Sequence, residues 1–163
     1  MRIRDAAPED VADIVILAEA RRRQYECWQP VFWKKAENSA DVSAAFLGQL
    51  VVNPAVVTRV AVQDGRLDGF LIAWKTPSPP VYAPGGDTFT VDDFCVRTPE
   101  LWPTVGRALW NDCMAIARAA GWRQVVVVSG HLDAAKNAML SQTGLTIASN
   151  WWTLPIDPES GEA

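Results

Sequence analysis

Thr88-Phe89-Thr90-Val91-Asp92-Asp93-Phe94-Cys95-Val96, followed after a short connection by Pro103-Thr104-Val105-Gly106-Arg107-Ala108, decides how the chain is organised. The first half is rich in β-branched and aromatic residues and reads as a strand. The second half opens a helix, because Leu101, Val105, Leu109, Cys113, Ile116 and Ala120 recur at three- and four-residue spacing. Gly121 stands where such a helix ends in a left-handed residue. Gln124 to Ser129 follows and contains Val125-Val126-Val127-Val128. An unbroken β-branched run predicts a strand buried on both faces and paired in parallel. Strand, helix and strand in this order make a right-handed crossover.

Upstream, Met1 to Ala6 predicts a short strand. Pro8 suits the first turn of a helix, where its missing N–H costs nothing. Val11, Ile14, Val15 and Ala18 carry that helix to about Tyr25. An aromatic connection, Tyr25 to Trp33, leads to a second helix capped by Asn38 or Ser39 and ended by Asn53-Pro54. Val56 to Val62 and Leu67 to Trp74 flank Asp64-Gly65, a hairpin signal. Thr76 to Gly86 holds four prolines and two glycines and is a loop. Downstream, a helix from about Leu132 to Thr143 ends at Gly144, and Leu145 to Pro155 supplies a last strand or two. The sum is α/β: a three-layer α/β/α single domain over residues 1–156, its mixed sheet splayed between the fourth and fifth strands, with a flexible tail at 157–163.

The totals narrow the function classes. With 163 residues and 49% apolar content the chain suits one domain with a real core. The net charge of −4 argues against a nucleic-acid partner, which calls for clustered Lys and Arg. The dense basic run Arg21-Arg22-Arg23 falls at a helix end, where the dipole favours cations. Cys27, Cys95 and Cys113 are far apart, with no metal-ligand spacing, so no metal is expected. The absence of a signal-peptide core and of any membrane-length apolar run gives the expectation of a cytoplasmic protein without a membrane partner.

Gly106 at a helix start lets a ligand approach the backbone, and free N–H groups with the helix dipole favour an anion there. Pro103 to Ala108 is therefore a candidate pyrophosphate cradle, with Arg107 adding a charged donor. Three pieces together resemble the GNAT superfamily of acyl-CoA-dependent N-acetyltransferases. They are the opening Arg2-Ile3-Arg4-Asp5-Ala6-Ala7-Pro8-Glu9-Asp10, the strand Phe94-Cys95-Val96 before Gly106-Arg107-Ala108, and Asp133-Ala134-Ala135-Lys136-Asn137 running to Gly144-Leu145. The resemblance implies acetyl-CoA as cosubstrate. Its pantetheine arm would lie against Phe94, Cys95 and Val96, and its pyrophosphate on Thr104, Val105, Gly106, Arg107 and Ala108. Asp133, Lys136 and Asn137 would stand beside it. The sequence departs from the family pattern at Pro103, where Gln or Arg is usual, and at Leu140, where the family often carries a tyrosine acid. The cofactor motif is thus degenerate.

The candidate acid–base groups are Asp93, Asp92 and His131. Period-two alternation sends Asp92 and Asp93 to opposite faces of the strand, one into the cleft. Tyr25, Trp28, Phe32 and Trp33 form a candidate acceptor wall, with Ser129 at the end of the later strand. Trp151 and Trp152 are adjacent, so one faces out and marks a homodimer or acceptor surface. The expected function is acetyl transfer to a primary amine of a small molecule or peptide. The alternatives are a catalytically inactive CoA-binding or protein-interaction module, and transfer of a longer acyl group.

Overall fold

Hairpin chemistry builds the first half of the sheet. In this computed structural model, which describes residues 1–156, β1 (Arg2–Asp5) pairs antiparallel with β2 (Val56–Gln63), and β2 with β3 (Arg66–Thr76). Asp64 and Gly65 turn the hairpin with φ of 51° and 77°; two left-handed residues in a row match the twist of the flanking strands. β4 (Thr88–Val96) pairs antiparallel with β3. β5 (Gln124–Val127) pairs parallel with β4, as the valine run predicts, and the strand order is β1-β2-β3-β4-β5. It is not buried on both faces as expected: it is an edge strand and Val126 is 42% exposed.

Helices cover both faces. α1 (Val11–Trp28) and α2 (Ser39–Val51) bury Ile14, Leu17, Ala18 and Leu47 against Val60, Phe70, Ile72 and Cys95. α3 (Arg107–Ala119) and α4 (Ala134–Ser141) bury Leu109, Cys113, Met139 and Leu140 against Leu71, Val91 and Phe94. Full burial of a side chain such as Phe94 contributes about 1.5–3 kcal/mol. The three-layer α/β/α reading therefore holds, with the layers set by the two faces of β3 and β4. Among the described residues no helix is long and apolar enough to cross a membrane.

Three departures matter for function. The helix expected to open at Gly106 begins earlier: Pro99–Leu101 is a 3-10 turn, Trp102–Gly106 a π turn, and α3 continues from them. Pro99 and Pro103 sit where the missing N–H is harmless, so the chain is free to coil there. Next, β4 contains a bulge: Ile72 pairs with Asp93 and Ala73 with Val91, which leaves Asp92 as the extra residue. Last, among the described residues no strand forms after α4. Gly144 (φ 84°) ends that helix, residues 145–156 have no regular structure, and Trp151 packs edge-on against Phe32 with centroids 5.9 Å apart. That contact ties the segment to the α1–α2 connection rather than to a ladder. The tail expected at 157–163 lies outside the described residues.

Candidate functional site

β4 and β5 share only the ladder from Thr88 to Val91, closed by the Val128 amide donating to the Val91 carbonyl at 3.0 Å. Beyond it β4 runs on to Val96 without β5, paired with β3 alone. A cleft of about 340 Å³ opens at this parting, walled by α1, the α1–α2 connection and the bulge of β4. Arg21, Tyr25, Phe32, Trp33, Asp92, Asp93 and Val128 line it.

The bulge corrects the alternation argument: the extra residue breaks the period of two, and both carboxylates border the cleft. They are not equivalent. Arg21 donates from Nη2 to Asp93 at 2.5 Å and from Nη1 to the Phe94 carbonyl at 2.7 Å. Both side chains are nearly buried, 12% and 13% exposed, so Asp93 is committed to this pair. Asp92 has no ion pair among the described residues. Its desolvation, followed by the charge of Asp93, pushes its carboxyl above the usual range.

Glu19, which sequence reasoning overlooked, braces the cleft from below. It accepts from Lys35 at 2.7 Å, Ser39 at 2.8 Å and Arg22 at 3.1 Å, joining α1, the connection and α2. Burial alone would raise this carboxyl; the three donors outweigh it and pull it down to about 2. The one sequence signal was Arg22 at i+3 on the same helix.

Tyr25 is buried. Its hydroxyl donates to Asp133 at 2.9 Å and accepts from the Gly130 amide at 3.2 Å. Burial, then the charge of Asp133, leaves that phenol harder to ionise than usual, and the Arg21 cation offsets this only in part. Asp133 also accepts from the Lys136 amide at 3.2 Å, which caps α4. Trp28 lies beside Tyr25, centroids 5.4 Å apart. Ser129 donates to Asn137 at 2.7 Å, and the Asn137 amide donates to the carbonyls of Gly130 at 3.0 Å and His131 at 3.1 Å. Asp133, Asn137 and Ser129 therefore fix the β5–α4 loop. The His131 side chain is exposed, and among the described residues only its carbonyl is engaged.

Lys136 occupies the parting itself. It is fully buried, and its Nζ donates to Phe94 O at 3.2 Å and Val128 O at 2.8 Å, with the Phe94 and Trp102 rings 5.5 and 5.6 Å away. Burial, then the charge of Arg21, lowers its ammonium to about 7. Cys95 and Val96 are buried beyond it.

The expected cradle is also changed. Val105 and Gly106 are buried within the π turn, and Ala108 lies inside α3, so their amides belong to one helical run that starts at Pro99. Thr104 donates its hydroxyl to Leu101 O at 3.4 Å. A Cβ on Gly106 would overlap the Trp102 ring. Arg107 donates to Gln142 Oε1 at 2.9 Å and to carbonyls at the end of α4, where a cation suits the dipole. As a seat for acetyl-CoA, then, the parting offers the Phe94 and Val128 carbonyls that an extended arm could pair with, and an arm would have to take them over from the Lys136 ammonium.

No protein-family model matches this sequence, and no curated protein matches it. Solved structures do. A tetramutant of the BH1408 protein from Bacillus halodurans aligns with a TM-score of 0.82 at 14% identity, covering 96% of this chain and 100% of that one. A ribosomal-protein-alanine N-acetyltransferase from Brucella melitensis biovar Abortus 2308 aligns at 0.66, with 17% identity over 96% and 100%. A predicted acetyltransferase from Clostridium acetobutylicum, crystallised with acetyl-CoA, aligns at 0.69, with 12% identity over 94% and 95%. The chain therefore has the fold of the GNAT acetyltransferases, with the parallel β4–β5 pair in place.

Proposed function

We propose that the protein is an acyl-CoA-dependent N-acetyltransferase that takes a primary amine in the aromatic cleft. The carrying observation is Asp92, a carboxylate without an ion pair among the described residues and with a raised pKa, set by the bulge where β4 and β5 part. Bound acetyl-CoA would supply an activated acyl thioester in the parting. Asp92 would accept the proton that the amine loses as its nitrogen bonds to the acyl carbon; the thioester C–S bond would break and the thiolate would leave, taking up a proton returned by Asp92 or from water. Arg21 neutralises Asp93, so a single anionic carboxylate faces the amine. Tyr25, Phe32 and Trp33 present ring faces and edges to the acceptor and keep water from it. The fold neighbours support the reaction class, and the Clostridium acetobutylicum neighbour supports the cosubstrate.

Lys136 favours a second reading, a GNAT-fold interaction module without turnover, because its ammonium already satisfies the carbonyls of the parting. One experiment separates the two: thermal unfolding with and without excess acetyl-CoA, followed by thiol release with a panel of primary amines. The enzyme reading expects stabilisation of roughly 2.7 kcal/mol at a hundredfold excess over Kd, and thiol release with at least one amine. Neither effect appears if Lys136 keeps its place.

A further inference from the structure

Four cationic side chains, Arg21, Arg22, Lys34 and Lys35, border the cleft, against two carboxylates, Asp92 and Asp93. These charges do not pair off evenly. Arg21 is committed to Asp93. Arg22 and Lys35 share the one carboxylate of Glu19, at 3.1 and 2.7 Å, so a single negative charge answers two positive ones. Lys34 is exposed and has no ion pair among the described residues. The hydrogen bonds are uneven in the same way. Arg22 donates from Nη1 alone, to Glu19 and Ser43, and the Lys35 ammonium makes one bond of the three it can make. Among the described residues, Arg22 Nη2 and Lys34 Nζ donate to no partner. This side of the cleft therefore keeps both positive charge and N–H donors in excess.

The excess and the candidate base come from different elements. Asp92 is set by the bulge of β4, Arg22 by α1, and Lys34 and Lys35 by the α1–α2 connection. Glu19 holds the heads of Arg22 and Lys35 in place from below. A plain alkylamine or a polyamine, protonated in water, adds positive charge to a wall already rich in it. An acceptor with an anionic group at its other end meets complementary charge twice: its amine at Asp92, its anion at Lys34, Lys35 and Arg22. The cleft volume of about 340 Å³ lies at the low end of small-molecule sites, which run from about 300 to 1,000 Å³, so the acceptor is a compact molecule.

Resting on the acetyltransferase reading above, we propose that the acceptor is a small acidic amine, a primary amine joined by a short spacer to a carboxylate or a phosphate. Lys34 and the unused donors of Arg22 and Lys35 take the anion, and the rings of Phe32 and Trp33 flank the spacer. Lys34 is then a specificity-determining residue: it selects the acceptor by its charge and takes no part in the proton transfer.

The test is thiol release from acetyl-CoA with acceptors matched in length and differing in charge: glycine against glycinamide, β-alanine against β-alaninamide, γ-aminobutyrate against its carboxamide, and phosphoethanolamine against ethanolamine. In at least one pair the acid should exceed its neutral partner in kcat/KM by about tenfold or more, the worth of one charged hydrogen-bonded contact, with KM carrying the difference. The pair with the largest ratio tells carboxylate from phosphate. Lys34→Glu, at an exposed position outside the packed core, should reverse the order, so that the acid loses and its neutral partner gains. Thiol release in which the neutral member equals or exceeds the acid in every pair overturns the proposal and leaves the acetyltransferase reading standing. So does a Lys34→Glu protein whose acid-to-neutral ratio matches the parent. Thiol release with none of the amines overturns both.

Discussion

The ammonium of Lys136 stands 3.2 Å from the carbonyl oxygen of Phe94, in the gap where β4 has left its parallel partner. It also reaches Val128 O, so one side chain from α4 bridges two strands that no longer bond each other. A protonated lysine there carries a desolvation cost that the nearby charges of Asp133 and Asp93 only partly offset. The neutral amine still has two N–H groups, one for each carbonyl.

Stability should therefore vary with pH in a definite sense. The folded lysine loses its proton near pH 7, whereas an unfolded one holds it to about 10.5. Between these values the unfolded chain binds more protons, so stability rises with pH across that interval. Lys136→Met removes the rise, whatever it does to stability at neutral pH. Urea unfolding of both proteins at the two ends of the interval measures the slope. Equal slopes would mean that Lys136 is not held as described.

The acid limb belongs to another group. Glu19 is held at about 2 against an ordinary value of 4.5, so the stability it contributes is present above about 4.5 and is lost as pH falls toward 2. Glu19→Gln flattens this limb and loosens Lys35 and Ser39, which share the carboxylate. Acid titration followed by tryptophan fluorescence reports it, since Trp33 lies in the same wall. An unchanged acid midpoint in the variant would remove Glu19 from this role.

Much of this arrangement was legible because it rests on local periodicity. The valine run gave a parallel strand, Asp64-Gly65 a hairpin, and the 101–120 spacing the long helix. What periodicity cannot see is register. The bulge at Asp92 is set by pairing with Ile72 and Ala73 of β3, far away in sequence, and it turns both carboxylates to the cleft. The early start of the helix at Pro99 is likewise a tertiary choice, made as Trp102 packs on Phe94, centroids 4.9 Å apart. Lys136 reads as a surface residue in any composition argument, since lysine is seldom buried. Glu19 is disguised in the same way, for its partners come from three elements.

Tyr25 offers a test of the β5–α4 loop. Tyr25→Phe leaves the ring packed between Trp28 and Trp33 but deprives the buried Asp133 of a donor and the Gly130 amide of an acceptor. Leaving buried polar groups unpaired costs about 1–3 kcal/mol. Chemical denaturation should show a loss in that range, with faster amide exchange at Gly130. A variant as stable as the parent would mean that water replaces the hydroxyl.

The two adjacent carboxylates should separate stability from turnover. Asp93→Ala strands the nearly buried Arg21 guanidinium, and removing one partner of a buried pair costs about 3–5 kcal/mol. Asp92→Asn touches no ion pair among the described residues, so its stability should stay within about 1 kcal/mol of the parent. Its effect belongs to the chemistry: loss of a general base lowers kcat by about 10²–10⁴-fold. Because the Asp92 carboxyl sits above its usual range, the parent rate should fall on the acid side through that raised value, and the variant should lack this limb. Steady-state rates against pH, read beside urea midpoints for both variants, decide the assignment. A Asp92→Asn protein with an unchanged acid limb would pass the role of base to a water molecule.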